Sequence, residues 1–145
     1  MAEITASMVM ALRSQTDAPM MDCKKALTEA GGDMSKAEEI LRVRFGSKAT
    51  KAAGRVAAEG VVSSFISKDK KFGSLLEVNS ETDFCAKNEE FLSFTNKAAE
   101  IIVSKKLNDI ESLGKAEIDG VSLEDLRTQL VGKIGENITP RRFIN

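Results

Sequence analysis

Residues 60–79 read GVVSSFISKDKKFGSLLEVN, and in this stretch the hydrophobic pattern of the chain changes from helical to β-prone. The first β-prone run occupies residues 61–66 and the second occupies residues 74–79, with the polar residues 68–71 between them. Two short β-prone runs around a polar turn are typical of an antiparallel hairpin. Because apolar residues recur at helical spacing on both sides of this hairpin, the predicted fold class is α+β.

Three helices are predicted upstream of the hairpin. Thr5 is a suitable N-cap for the first helix, and Pro19 suits the first position of the second. Either Asp33 or Ser35 can cap the third helix. The second helix has an apolar stripe made of Met20, Cys23, Leu27 and Ala30. Because each short helix has one such stripe, the stripes can be buried only against one another, which predicts a compact three-helix module at residues 1–46.

A run of positive charge follows this module, and its members are Arg42, Arg44, Lys48, Lys51 and Arg55. Clustered lysine and arginine residues can neutralise nucleic-acid phosphates, so a nucleic-acid patch is one interpretation. A solvated linker is the other, and the absence of a base-reading motif favours it. We therefore interpret residues 47–60 as a partly helical basic connector and expect no direct nucleic-acid binding.

Two longer helices are predicted downstream of the hairpin. One extends over about residues 88–105, and the other follows the N-cap Ser122. A last β-prone run, residues 137–145, has no turn or cap after it. We expect residues 61–145 to form an α+β core subdomain with a small antiparallel sheet and flanking helices. The unfinished final run gives the further expectation that this core is truncated.

The composition is that of a soluble globular protein, with 42% hydrophobic and 30% charged residues. The 21 basic and 22 acidic residues nearly cancel, so the net charge provides no attraction to nucleic acid or to an anionic membrane. The sequence has no recognisable signal peptide and no run of apolar residues long enough to span a membrane. The expected location is therefore the cytoplasm.

Most catalytic and metal sites use residues that this chain lacks. It has no histidine, and its two cysteines, Cys23 and Cys85, are far apart in the sequence. A zinc site needs three or four cysteine or histidine ligands, and no glycine-rich phosphate loop is present. We therefore expect no metal, no cofactor and no catalytic residue, and a binding protein rather than an enzyme.

Residues 79–91, NSETDFCAKNEEF, place an aromatic side chain in a polar segment. Phe84 lies seven residues before Phe91, in phase with the apolar face of the following helix, so a core position is one interpretation. The other interpretation is an exposed anchor for a partner protein. The role of Asp83 also has two interpretations, since an acid at the start of a helix can interact with the helix dipole or with a partner protein.

Four motifs carry a resemblance to a known family. TDAPMMDCKKALTEAGGD (residues 16–33) lies in the first module, and AAEGVV (57–62), TDFCAKN (82–88) and KIGENI (133–138) lie in the second. In this order, and across nearly the whole chain, they resemble bacterial elongation factor Ts, the nucleotide exchange factor for elongation factor Tu. Asp17 and Pro19 replace glycines of the family pattern, and Cys85 stands where valine is usual.

This resemblance implies a fold and a partner. The first module would be a three-helix bundle of the ubiquitin-associated type that contacts the G domain of elongation factor Tu. The second would be the first half of a core that continues into a related half in longer members. Short members act as dimers, so a homodimer is possible for this chain. A ubiquitin- or peptide-binding module is the competing class, because the three-helix bundle alone would fit it.

The resemblance also implies roles for individual residues. The segment that would disturb the Mg²⁺ site of elongation factor Tu consists of Thr82, Asp83, Phe84 and Cys85. The residues that would dock on its G domain are Met20, Met21 and Lys24. Ile134, Gly135 and Glu136 are a further candidate contact, although core packing is an alternative role for Ile134. Because adjacent helix positions are about 100° apart, Met21 is expected to face outward if Met20 lies on the apolar stripe.

Overall fold

The structure is a computed structural model that describes residues 3–145. Met1 and Ala2, which open the predicted three-helix module, lie outside the described residues. In chain order the elements are α1 (Ala6–Thr16), α2 (Met20–Glu29), α3 (Met34–Ala52), β1 (Glu59–Ile66), β2 (Gly73–Ser80), α4 (Asp83–Ala86), α5 (Glu89–Ser104), α6 (Ile110–Lys115), β3 (Glu117–Ile118), β4 (Val121–Ser122), α7 (Leu123–Ile134) and β5 (Thr139–Ile144). The mixture of helices with a small antiparallel sheet confirms the predicted α+β class.

The first three helices pack together around one buried cluster. Thr5 caps α1 by accepting a hydrogen bond from the Met8 N–H at 3.2 Å, as predicted. Asp33, rather than Ser35, caps α3 by accepting from the Lys36 N–H at 3.0 Å. The cluster consists of Val9, Leu12, Ala18, Cys23, Ala26, Leu27, Ala37, Leu41 and Phe45.

Helix α3 continues past residue 46, where the predicted module ends. Ala49 and Ala52 lie on the same buried face as Phe45 but pack into a second hydrophobic cluster, whose other members come from the strands and the later helices. One helix therefore contributes to two cores. Residues 47–52 of the predicted connector are helical for this reason, and the division of the chain into separate modules stays a prediction.

The main sheet has the strand order β1-β2-β5, and both pairings are antiparallel. The predicted hairpin is present as β1 and β2, and the β-prone run at the end of the sequence forms β5 beside β2. Helix α5 packs on one face of this sheet. The hydroxyl of Ser63 donates to Thr95 Oγ1 at 2.8 Å, and that of Ser74 donates to the Ala99 carbonyl at 2.7 Å, so the buried hydroxyls at this interface are paired.

Polar contacts of α7 connect the three-helix bundle to the core. Lys133 Nζ lies 2.8 Å from Asp17 Oδ2, just after α1, and 2.7 Å from Glu90 Oε1 at the start of α5. Burial alone would lower the pKa of Lys133, but the hydrogen bonds to these two carboxylates outweigh it and raise the pKa. Lys48 Nζ of α3 also donates to the Gly132 carbonyl of α7 at 3.5 Å. These contacts fix the first module relative to the sheet.

Within residues 3–145, no helix combines the length and the apolar character needed to cross a membrane.

Candidate partner-binding site

Phe84 lies on the outside of the molecule. With 81% of its surface accessible, it is the most exposed of the seven phenylalanines. The core interpretation of Phe84 is therefore wrong. Its phase relation to Phe91 has no structural meaning because the chain leaves the helix after Ala86 and starts a new one at Glu89, capped by Asn88.

The residues on either side of the exposed ring are held in place. Thr82 caps α4, and its Oγ1 accepts a hydrogen bond from the Cys85 N–H at 3.2 Å. Cys85 is only 3% exposed and belongs to the second hydrophobic cluster. Asp83 is exposed in the first turn, with Lys87 Nζ 3.9 Å from its carboxylate. The four-residue helix is thus pinned on its inner side while Phe84 points away from the core.

The thiol of Cys85 is held in its neutral form. Burial, together with the nearby carboxylate of Glu136, raises the pKa of Cys85 to about 11. Because the thiolate is the reactive form, a thiol with this pKa is chemically inert near neutral pH. Cys85 acts here as a small apolar side chain that anchors α4.

Glu136 is directed into the segment that precedes Phe84. Its Oε1 accepts hydrogen bonds from the N–H groups of Glu81 at 3.0 Å and Thr82 at 2.9 Å. Its Oε2 accepts from the Thr82 hydroxyl at 2.7 Å. The structure therefore brings two of the predicted sets of residues together, and it does so through contacts within the chain.

Glu81, Arg55 and Asn137 complete this network. Glu81 Oε1 accepts from the Asn137 N–H at 2.7 Å, and Arg55 Nη1 lies 3.4 Å from the same oxygen. Asn137 Nδ2 donates to the Arg55 carbonyl at 2.8 Å, and Arg55 Nη1 donates to the Gly135 carbonyl at 3.0 Å. Glu81 and Asn137 were not singled out from the sequence, and Arg55 was named only as a member of the basic segment. The only available signal was a polar residue, Asn137, between apolar neighbours near the end of the KIGENI motif.

Ile134 and Gly135 have structural roles in the same turn. Gly135 ends α7 in the left-handed conformation with φ 84°, which glycine adopts without steric cost, and its N–H donates to the Val131 carbonyl at 2.7 Å. Ile134 is half-buried against the second cluster, in agreement with a packing role. Gly135 itself is exposed.

The predicted docking residues lie on the first turns of α2. Met21 is 63% exposed, and Lys24 is also exposed. Met20 is 47% exposed, so its predicted place on the buried stripe is wrong. The residues of α2 that are buried in the bundle are Cys23, Ala26 and Leu27. Met20, the first residue of the helix, lies outside this core. Helix α2 packs on α1 and α3 whereas α4 packs on the sheet and α5, so the docking residues and Phe84 lie on different parts of the fold.

Much of the basic segment is neutralised within the chain. Arg44 pairs with Glu29, Lys48 with Asp22, and Arg55 with Glu81. These pairs reduce the positive charge that the segment can present to phosphates. Among residues 3–145, no cluster of three or more potential metal ligands is found.

Comparison with known proteins gives consistent matches. The family model described as Elongation factor TS matches residues 81–145. Elongation factor Ts of Methylobacillus flagellatus is 68% identical over 143 residues, which are 99% of this chain and 49% of that protein. Elongation factor Ts of Thiobacillus denitrificans is 62% identical over 144 residues, with coverages of 99% and 50%. The chain is similar to elongation factor Ts along nearly its whole length, and it spans about half the length of the curated relatives it matches.

Proposed function

We propose that this chain acts in translation elongation by binding elongation factor Tu in its GDP-bound form and promoting release of the nucleotide. The observation that carries this proposal is the exposed ring of Phe84, presented by a short helix between a hydrogen-bonded Thr82 and a buried Cys85. Transfer of a phenylalanine side chain from water to a buried site contributes roughly 1.5–3 kcal/mol. An aromatic side chain that is exposed and pre-positioned is typical of an interface anchor.

Two surfaces of the chain would contact the partner. Met20, Met21 and Lys24 would dock on the G domain, where the flexible methionine side chains can adapt to the surface they meet. Phe84, with Asp83 beside it, would enter the G domain near its nucleotide site. The ion pairs of Lys133 with Asp17 and Glu90 support simultaneous contact, because they hold the bundle and the core in one arrangement.

The proposed mechanism is thermodynamic linkage. If the chain binds nucleotide-free elongation factor Tu more tightly than the GDP-bound form, it must weaken GDP binding by the same factor. Each tenfold weakening requires about 1.4 kcal/mol of such preference. Insertion of Phe84 would disturb the groups that hold the partner's Mg²⁺, which opposes the negative charge of the phosphates. This mechanism needs no proton transfer and no covalent step, so the chain would be an exchange factor rather than an enzyme.

The other interpretations of the sequence gain less support. The ion pairs of Arg44, Lys48 and Arg55 argue against a phosphate-binding patch. A peptide-binding bundle would not explain why Phe84 is exposed on the core. We place the proposed activity in the cytoplasm, where the partner operates, and a homodimer stays a prediction.

Calorimetric titration of the chain into elongation factor Tu tests the proposal at equilibrium. We expect the dissociation constant for the nucleotide-free form to be at least about tenfold lower than that for the GDP-bound form, and Phe84→Ala to reduce this preference. Equal affinities of the unmodified chain for the two forms would refute the proposed function.

A further inference from the structure

The carboxylate of Glu136 has all of its described bonds within its own chain. Oε1 accepts from two backbone N–H groups, at 3.0 Å and 2.9 Å, and Oε2 accepts from the Thr82 hydroxyl at 2.7 Å. These three donors belong to Glu81 and Thr82, which precede α4. Hydrogen bonds to an ionised carboxylate are about twice as strong as those between neutral groups. Glu136 is therefore engaged with the segment that carries Phe84.

The bond to Thr82 extends into the helix. A hydroxyl has one proton to donate and two lone pairs that accept. The Thr82 hydroxyl donates its hydrogen bond to Glu136, so a lone pair of the same oxygen is free to accept from the Cys85 N–H, 3.2 Å away. These hydrogen bonds thus connect the Glu136 carboxylate to Thr82, two residues before Phe84, and through it to Cys85, one residue after Phe84.

The turn that carries Glu136 is also hydrogen-bonded to the segment that precedes α4. Glu81 Oε1 accepts from the Asn137 N–H at 2.7 Å, so each segment supplies a carboxylate that binds backbone N–H groups of the other. Asn137 is buried, and its side chain donates to the Arg55 carbonyl at 2.8 Å. The two segments are consequently locked together from both sides.

We propose that Glu136 is a positioning residue for Phe84 and does not itself contact the partner; this inference rests on the proposed exchange function. A helix of four residues has almost no stability of its own, so its conformation must come from tertiary contacts. Without the Glu136 carboxylate, the N–H groups of Glu81 and Thr82 lose their acceptor, and the segment must be ordered when the partner binds. That ordering cost lowers the affinity.

The first arm of the test uses the chain alone. In Glu136→Ala, amide hydrogen exchange measured by NMR is expected to be about tenfold faster at Glu81, Thr82 and Cys85. The control Glu111→Ala removes an exposed carboxylate whose partner is Lys115, and it should leave these amides unchanged. In Glu136→Gln the amide oxygen can still accept and the amide nitrogen can donate to the Thr82 oxygen, so intermediate rates are expected. Unchanged protection in Glu136→Ala would overturn the inference.

The second arm measures GDP release from elongation factor Tu. Glu136→Ala is expected to reduce the stimulated rate by about tenfold, equivalent to about 1.4 kcal/mol. The dissociation constant for nucleotide-free elongation factor Tu is then compared in a Phe84→Ala background, where Glu136→Ala should have little further effect on it, because Glu136 acts through Phe84. Losses that add would mean that Glu136 contacts the partner directly, and they would overturn the inference.

Failure of the proposed function gives a different result. If Phe84→Ala stimulated release as well as the unmodified chain, the exchange mechanism would be refuted, and with it any role of Glu136 in exchange. The hydrogen-exchange arm needs no partner, so it would still decide whether Glu136 holds the segment around α4.

Discussion

Gly132 of α7 lies directly against the ring of Phe45 of α3, so closely that a Cβ at residue 132 would come within 2.3 Å of Phe45 Cδ1. Phe45 is 2% exposed and belongs to the cluster of the three-helix bundle, whereas α7 packs into the second cluster. The two cores therefore meet where α7 crosses the aromatic ring of Phe45 at a glycine, which has no side chain. This contact lies between the helical bundle, which carries the predicted docking residues, and the core, which carries Phe84.

Gly132→Ala is expected to destabilise the protein. The added methyl group overlaps the buried ring of Phe45, and overpacking of this kind costs roughly 1–3 kcal/mol. Urea denaturation, followed by circular dichroism, would measure the change in the free energy of unfolding.

Gly46→Ala is the matched control for that substitution. Gly46 lies in the interior of α3, and a Cβ there would meet nothing within 4 Å. Replacing a helical glycine by alanine without a clash stabilises by roughly 0.5–1 kcal/mol. The two glycine replacements should therefore have opposite signs. A neutral or stabilising Gly132→Ala would show that α3 and α7 can separate without cost.

Lys133→Met is expected to lower the free energy of unfolding by about 1 kcal/mol, because it removes both ion pairs of a partly buried ammonium group. Lys115→Met is the control, since its pair with Glu111 is exposed on both sides and should contribute only a few tenths of a kcal/mol. Urea denaturation at low and high salt would distinguish the contribution of Lys133 from that of Lys115, since salt screens exposed charges more than buried ones. Equal effects would contradict a special role for Lys133.

Cys85→Val is expected to change how stability depends on pH. The pKa of the Cys85 thiol is raised from 9.0 to about 11 in the folded chain. Between these values the folded chain binds more protons than the unfolded chain, so the free energy of unfolding falls as pH rises through this window. Valine does not titrate, so the variant should lack this decline and gain about 1 kcal/mol relative to the unmodified chain near pH 10.

Chemical denaturation at several pH values between about 8 and 10 would measure this difference. Below the unfolded pKa the thiol makes no pH-dependent contribution, so the difference between the two chains should be constant there. Parallel curves across the whole range would mean that Cys85 ionises as easily in the folded chain as in the unfolded one.

Local signals in the sequence were sufficient for much of the fold. The predicted caps Thr5 and Ser122 are the observed ones, because an N-cap depends on a side chain and a backbone N–H only a few residues apart. The hairpin also follows from local pattern. A partly helical connector was predicted after residue 46, but the unbroken extension of α3 to Ala52 could not be predicted, because it depends on packing of Ala49 and Ala52 against distant parts of the chain. The two-residue strands β3 and β4 are too short to show a periodic pattern.

The candidate site was less predictable from the sequence. The phase of Phe84 relative to Phe91 favoured a buried position, but the break between α4 and α5 separates the two residues and leaves Phe84 exposed. The contact of Glu136 with Thr82 joins residues 54 positions apart, so no local pattern indicates it. The resemblance to the family identified the segments, and the geometry assigns Glu136 to the support of Phe84.

The methionines of α2 give a prediction for docking. Replacing both Met20 and Met21 by alanine should raise the dissociation constant for elongation factor Tu by about tenfold, since two exposed apolar side chains would no longer be buried on binding. Val43→Ala on α3 removes another exposed apolar side chain, and it should leave the affinity unchanged. Calorimetry would measure both, and equal losses would place the docking surface elsewhere.

Stopped-flow release of a fluorescent GDP from elongation factor Tu tests the central claim most directly. The unmodified chain and the control Phe72→Ala, which removes a 53% exposed ring from the segment between β1 and β2, should both accelerate release. Phe84→Ala should give little acceleration, because the proposed contact with the Mg²⁺ site depends on this ring. Equal acceleration by Phe84→Ala and by the unmodified chain would contradict the proposed mechanism.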